Sequence, residues 1–437
     1  MLQAIYDLIL SPALLTCILS AGIYITCKLG KHFLRHPILV CKGMFSPTQD
    51  SSSSSWKALS VALAGTLGVG NIAGVASAIT IGGAGAVFWM WIGALLSMLI
   101  KYSEVVLALR YRKPTKDGYA GGAMYYFSSP VIAIFFAGFC LTASFGLGNI
   151  LQARTVAVTM ERAFGLPPIL CGVLLAILLY LTICKGFTRI SSVTLYLVPL
   201  MSGVYILLCI IAILRNVSIL PSVLREIVAD AFYPNAVIGG TGGLGLAKVI
   251  RTGISRGLIT HEAGCGTAPI AHAEADTSNP VHQGFLGIFE VFADTIILCT
   301  LTALVLLIHR HQMHIFLPAE GMDAVISAFT PTFGKLSAPL LALLIFCFAL
   351  ATMIGWSFYG MRCLDYLVER FPRLQAYKKL YATAYSFLSL LGVMIASNTV
   401  WLLADYSIAC MTLLHIPSLL PKIGEVVVLT KQQFHQV

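Results

Sequence analysis

Charge is what this sequence has least of. Of its 437 residues only 11% are Asp, Glu, Lys or Arg, and just 18 are acidic. A water-soluble domain carries about a quarter charged residues, so this chain cannot clothe a soluble surface. Its twelve cysteines contain no CxxC pair, and most of them (Cys140, Cys171, Cys209, Cys299, Cys347) lie in apolar runs. They read as small buried hydrophobes, which argues against a disulfide framework or a structural metal site. Positive charge is also missing ahead of the first apolar stretch: Asp7 precedes it, and Lys28, Lys31 and Arg35 follow. A cleavable signal has the reverse order. The first stretch is therefore expected to persist as a helix, with its N-terminus outside.

Apolar residues are abundant instead, at 58%, with a mean hydropathy of +0.88. Runs of roughly 20 apolar residues, enough to cross about 30 Å of hydrocarbon, recur throughout and imply a polytopic helical protein in a lipid bilayer. Eleven spans are expected: 5–27, 57–80, 84–108, 130–160, 166–184, 191–213, a broken one across 224–258, 283–308, 337–360, 380–397 and 399–420. The run from Ser51 to Ser55 reads as a flexible linker between the first two. The net charge of +10 would suggest nucleic acid in a soluble protein. Here it follows the rule that basic loops stay cytoplasmic, and no nucleic-acid partner is expected. On the eleven-span reading 22 lysines and arginines fall on one side, and six (Arg154, Arg162, Arg215, Arg225, Arg310, Lys335) on the other. The basic side is expected to be cytoplasmic and to hold the C-terminus.

Glycine interrupts two of the spans. One contains Gly65-Thr66-Leu67-Gly68-Val69-Gly70-Asn71, the other Gly239-Gly240-Thr241-Gly242-Gly243-Leu244-Gly245. Glycine has the lowest helix propensity after proline, and unwound backbone at membrane depth survives only where it is buried or lines a polar cavity. Two such spans, five helices apart and entering from opposite faces, are the pattern of an inverted-repeat transporter. The competing reading, in which the glycines serve close helix packing, stays open on spacing alone.

His261-Glu262-Ala263-Gly264-Cys265 invites a zinc-peptidase reading. HExxH needs histidine at both ends so that i and i+4 share a helix face, and here the second position is Cys265. His272, Glu274, Asp276 and His282 follow, in what the charge count makes a cytoplasmic loop. No enzyme is expected.

The stretch Gly68-Val69-Gly70-Asn71-Ile72-Ala73-Gly74, running on through Gly82-Gly83-Ala84-Gly85 to Lys101-Tyr102-Ser103-Glu104, resembles the signature of the alanine or glycine:cation symporter family. Arg256-Gly257-Leu258-Ile259-Thr260-His261-Glu262-Ala263-Gly264, on to Pro269-Ile270, is similar to a second motif of that family. Phe292-Ala293-Asp294-Thr295, Thr352-Met353-Ile354-Gly355-Trp356 and Trp401-Leu402-Leu403-Ala404-Asp405 match in order. The resemblance implies an all-α LeuT-type fold of two inverted five-helix repeats, at 56–213 and 221–421. An extra N-terminal helix with its linker (1–55) would precede them and a tail (422–437) follow. It also implies residence in the cell membrane and sodium-coupled uptake of small neutral amino acids such as alanine and glycine, with Na+ as coupling ion and no other cofactor. Three positions depart from the family. Thr241 stands where relatives usually carry Phe and Arg154 where they often have Asn, which leaves the exact substrate open. His261 replaces an Asn at what looks like a cytoplasmic gate.

A zwitterionic amino acid needs a home for its carboxylate and for its ammonium. A broken helix offers both, because a new N-terminus presents free N–H groups and a new C-terminus free carbonyls. The N–H groups of Val69, Gly70 and Asn71, with the Asn71 amide, are assigned to the carboxylate, and the carbonyls of Gly239, Gly240 and Thr241 to the ammonium. Asn149 and Gln152 make a polar patch on an apolar helix and are expected at the same cavity, with interhelical hydrogen bonding as the alternative. Sodium takes several oxygen ligands and is expected at carbonyls near Ala64, Leu67 and Gly68 with the Thr352 hydroxyl. No carboxylate lies in either break, which favours Na+ over H+. Asp294 and Asp405 lie within apolar spans and keep proton coupling as the alternative.

Overall fold

The structure, a computed structural model, describes residues 10–45, 52–115, 118–233, 242–313, 321–395 and 397–435. The segment Gly239, Gly240 and Thr241 therefore lies outside the described residues. The described chain is helical apart from turns and one ribbon that pairs Lys113–Thr115 with Gly118–Ala120. Among the described residues, seven helical segments are long and apolar enough to cross a membrane, and the bent pair Ser53–Thr66 and Val69–Gly82 makes an eighth.

In chain order the helices are α1 (Ser11–Arg35), α2 (Pro37–Phe45), α3 (Ser52–Thr66), α4 (Ala73–Gly82), α5 (Gly85–Tyr111), α6 (Pro130–Phe145), α7 (Leu151–Phe164), α8 (Pro168–Ile183) and α9 (Gly186–Leu214). There follow α10 (Leu220–Phe232), α11 (Gly242–His261), α12 (Ala268–His272), α13 (Pro280–Val291), α14 (Thr300–Met313), α15 (Met322–Phe333), α16 (Ser337–Arg370), α17 (Gln375–Gly392), α18 (Ser397–Leu419) and α19 (Ile423–His435). Proline opens α6, α8 and α13, where its missing N–H costs nothing and its fixed φ suits the first turn. At α13 the Asn279 side chain also caps the His282 N–H at 3.1 Å. The serine run is not a linker. It opens α3, because Ser54 Oγ accepts the Asp276 N–H (2.8 Å) and Ser55 is buried, so contacts with the folded chain draw it into the helix.

Burial sorts the faces of the spans. On α9, Tyr196, Leu200, Leu207 and Leu214 are exposed, as suits a lipid-facing stripe, whereas Val198, Met201, Tyr205 and Leu208 are buried. The inner face also carries Thr194, which meets Ser60 of α3 at 3.0 Å. α16 is the central strut, buried from Leu341 to Tyr366 along one face. It crosses α3 backbone to backbone: a Cβ on Gly355 would lie 2.6 Å from Gly65 N. The glycines at the break therefore serve packing as well as unwinding, and the two readings of the sequence are not exclusive. Two wide π-turns, Gly146–Ile150 between α6 and α7 and Phe292–Cys299 between α13 and α14, face the same region. Such turns are frequent at functional sites.

Candidate substrate and ion site

The site is built on the break after α3. Leu67 N–H still bonds the Leu63 carbonyl (2.7 Å), but Gly68 is extended (φ −137°, ψ −164°), and a single turn at Val69–Asn71 restarts the helix. Asn71 secures the break from behind. Its Oδ1 accepts the Gly68 N–H (2.9 Å), and its Nδ2 donates to Asp294 Oδ1 (2.6 Å) in the second π-turn. The first N–H groups of a restarted helix have no carbonyl one turn back. Those of Val69 and Gly70 are in that position, and both residues line a cavity of about 40 Å³.

The opposite wall comes from α16 and the first π-turn. Thr352 Oγ1 bonds the Phe348 carbonyl (3.0 Å) and lies 3.4 Å from the Leu67 carbonyl. A Cβ on Gly68 would come within 2.6 Å of it. The hydroxyl thus faces the end of α3, where the last carbonyls lack helical partners and Gly68 leaves the helix. Gln152 also lines the cavity. Its Nε2 donates to the Leu147 carbonyl (3.3 Å), and its buried Oε1 has no partner among the described residues.

The fold therefore brings Val69, Gly70, Gln152, Gly68 and Thr352 around one cavity. Asn71 and Asn149 stand one layer behind it. Asn149 Nδ2 donates to the Tyr385 carbonyl of α17 (2.8 Å), the interhelical bond that was its alternative role. Although no carboxylate lies within the first break, the fold brings one to it. Asp294 is fully buried and takes the Asn71 amide and the Thr295 hydroxyl (2.8 Å).

The cavity lining extends beyond the expected residues. Glu262, which the sequence shows as part of an incomplete HExxH pattern, lines the cavity. Its Oε1 accepts Trp356 Nε1 (3.1 Å) and its Oε2 the Thr267 hydroxyl (2.7 Å). The usable signal was Gly264 and Gly266, which take φ of +85° and +78°. Two glycines at alternate positions mark a tight coil, which here turns Glu262 inward.

The two ends of the site differ. Toward α7 and α15 a wider cavity of about 320 Å³ shares Val69, Leu151 and Thr155 with the small one, and its rim holds the Arg162–Asp323 ion pair. Toward the basic end of α5 the structure is sealed. Lys101 and Glu290, both fully buried, pair at 3.2 Å. Glu290 also meets His272 Nε2 (3.3 Å), and Gln283 bonds the other ring nitrogen (2.8 Å). Glu104 Oε1 accepts the Gly264 N–H (2.5 Å). His415 Nδ1 donates to the Gly264 carbonyl (2.7 Å), and its Nε2 accepts the Tyr126 hydroxyl (2.5 Å).

A helical membrane protein with a broken span beside a small cavity, open toward one end and sealed at the other, has the architecture of a secondary transporter. The fold matches a solved Na+-coupled sialic acid symporter with a TM-score of 0.61 at 15% identity, covering 94% of this chain and 86% of that one. The likeness establishes a LeuT-type fold alone. The chain belongs to the sodium:alanine symporter family, whose model matches residues 1–437, and it is a transporter rather than an enzyme. It is 33% identical to the sodium/alanine symporter AgcS of Methanococcus maripaludis, over 99% of this chain and 96% of that one. It is 31% identical to the probable sodium/glutamine symporter GlnT of Bacillus subtilis, over 94% and 85%.

Proposed function

We propose that this protein couples Na+ entry to uptake of a small neutral amino acid, alanine or glycine in size, across the cell membrane by alternating access. The reading takes the chain as eleven spans with the N-terminus outside and the C-terminus cytoplasmic. Two inverted five-helix repeats at 56–213 and 221–421 rock around the breaks. The amino-acid carboxylate meets the N–H groups of Val69 and Gly70, in a break whose shape Asn71 holds. Na+ sits at the end of α3, between the carbonyls near Ala64, Leu67 and Gly68 and the Thr352 hydroxyl. Gln152 meets the substrate directly, and Asn149 fixes the π-turn that leads into the helix carrying Gln152. Gly239, Gly240 and Thr241 are assigned the ammonium from their place in the sequence.

The observation that carries the proposal is the shared cavity: free helix-start N–H groups and the hydroxyl at the α3 terminus line the same 40 Å³. Its size supports a small solute. A water occupies about 10–15 Å³ on this measure, so there is room for roughly three waters, about the bulk of glycine or alanine.

One charge moving down 100 mV releases about 2.3 kcal/mol, and a tenfold Na+ gradient adds about 1.4 kcal/mol. Together they support accumulation of a neutral solute on the order of 500-fold. In proteoliposomes with an imposed Na+ gradient, uptake of labelled alanine should collapse when choline replaces Na+, and persistence would refute the proposal. Proton coupling is the second reading, and Asp294 beside the break with only neutral donors is the observation that favours it. A pH gradient that drives uptake without Na+ would select that reading.

A further inference from the structure

We infer that Glu262 is the anionic partner of the substrate's ammonium group, with Gln152 Oε1 as a neutral companion acceptor. The inference rests on the proposed reading of the cavity as an amino-acid site. It adds what that reading lacks, a negative charge in the lining of the cavity that also holds Val69 and Gly70.

The backbone is the first observation. Glu262 has φ +52°, and among the described residues no other side-chain-bearing residue takes a positive φ. That conformation is uncommon away from glycine, and it persists where the surrounding structure fixes it, most often at binding and active sites. Here it turns the carboxylate out of the α11 direction and into the cavity wall. The side chain is the second. Glu262 is 2% exposed, and both oxygens accept from neutral donors, the indole of Trp356 and the hydroxyl of Thr267. No lysine or arginine pairs with it among the described residues. A carboxylate at membrane depth without a cation is costly, so the position suits a ligand that brings a positive charge. The neighbouring acids do not meet this description. Glu290 has Lys101, while Glu104 and Asp294 lie outside the cavity lining. The third observation is Gln152 Oε1, an acceptor in the same wall, buried and without a donor.

An ammonium has three N–H donors and no acceptor. It fits a wall that offers one carboxylate and one free amide oxygen. With helix-start N–H groups in the same lining, the cavity offers partners to both charges and selects zwitterions over acids that lack the amine.

The test is thermal stabilisation of the purified full-length protein by Na+ alone, then by Na+ with alanine or with lactate, which replaces the amine by a hydroxyl. Glu262→Gln keeps the size and an acceptor for Trp356. It should retain the Na+ shift, raise the half-saturating alanine concentration about 10- to 100-fold, and narrow the preference for alanine over lactate by at least about tenfold. Charge-assisted hydrogen bonds are roughly twice as strong as neutral ones, which sets that range. An unchanged alanine midpoint overturns the inference, and so does loss of the Na+ and alanine shifts together, which would mark Glu262 as a purely structural residue. If Glu262→Gln does not fold, Gln152→Leu decides, since an unaltered alanine-to-lactate preference there overturns the two-acceptor wall. A wild type that responds to Na+ but not to any small amino acid would instead overturn the amino-acid reading itself.

Discussion

On the proposed reading, the contact between Gly355 and the end of α3 makes the ion site sensitive to a single methyl group. A Cβ on Gly355 would lie 2.6 Å from Gly65 N, 2.9 Å from Gly65 Cα and 3.1 Å from Ala64 C. All three are backbone atoms, which cannot rotate aside, so Gly355→Ala must separate α16 from α3. Overpacking of this kind costs about 1–3 kcal/mol. Thr352 lies three residues earlier on the same face of α16, and its hydroxyl is already 3.4 Å from the Leu67 carbonyl. Separation widens that gap, so the strain is paid partly as lost Na+ affinity. If all of it appears there, the half-saturating Na+ concentration rises by about 5- to 150-fold, and relaxation elsewhere makes this an upper range. The assay is the Na+ activation curve of alanine uptake in proteoliposomes at saturating alanine. Gly203→Ala in α9, where an added Cβ meets nothing within 4 Å, is the control and should leave the curve in place. A wild-type activation curve in Gly355→Ala would refute the claim that the α3–α16 contact sets the ion site.

Thr352→Ala should raise the half-saturating Na+ concentration about tenfold, the equivalent of one hydrogen-bond-sized ligand interaction, while Thr352→Ser stays near wild type; equal curves for the two would remove the hydroxyl from the ion site. Asn71→Ala leaves the Gly68 N–H and Asp294 Oδ1 each without a partner, at about 1–3 kcal/mol per buried group. Apparent alanine affinity should fall with Na+ stabilisation partly kept, as read by thermal shift, and unchanged alanine affinity would sink its role in shaping the break. Lys101→Met strands Glu290 and should destabilise by about 3–5 kcal/mol, whereas adding Glu290→Met should recover much of that loss; additive losses in thermal unfolding would contradict a paired, buried charge. Thr241→Phe is expected to narrow competition by serine and larger neutral amino acids against labelled alanine, each methylene being worth about 1–3 kcal/mol in a hydrophobic pocket, and identical profiles would exclude Thr241 from the pocket wall.

Much of this molecule is legible without coordinates because membrane physics leaves few options. Apolar runs mark the long membrane-crossing helices, and Gly65 to Gly70 mark the break, where glycine serves the close approach of α16 as well as the unwinding. What could not be read were distances between segments far apart in sequence. Asn71 is a plausible carboxylate ligand by position, yet its amide is engaged by Asp294, 223 residues away, and nothing local to either residue encodes that pairing. Asn149 gives the same lesson through Tyr385. The serine run misled because Ser, like Asn and Asp, reads as loop until a tertiary contact such as Ser54 with Asp276 recruits it. Glu262 was hidden for a different reason. Its place in an incomplete HExxH pattern points to metal ligation and away from a cavity, while the two glycines after it, which bend the coil inward, carry the contrary signal.

The distribution of buried charge suggests how coupling arises on the proposed reading. Glu104, Glu262, Glu290 and Asp294 are each at most 2% exposed, and Lys101 is the one fully buried lysine or arginine among the described residues. Only Glu290 is paired with it; the other three acids rest on amides, hydroxyls, an indole and a backbone N–H. Such an interior is short of cations: Na+ brings a net charge of +1, and the zwitterion sets its ammonium beside the acids while its carboxylate takes the Val69 and Gly70 N–H groups. A carrier holding only one of its two ligands leaves more charge uncompensated at low dielectric, where an unpaired ion costs several kcal/mol. Reorientation of the half-loaded form is then slow and the fully loaded form is favoured. Because coupling free energies are reciprocal, Na+ should tighten amino-acid binding by the same factor that the amino acid tightens Na+. On this view the acids around the cavity, rather than any single ligand, link the two fluxes.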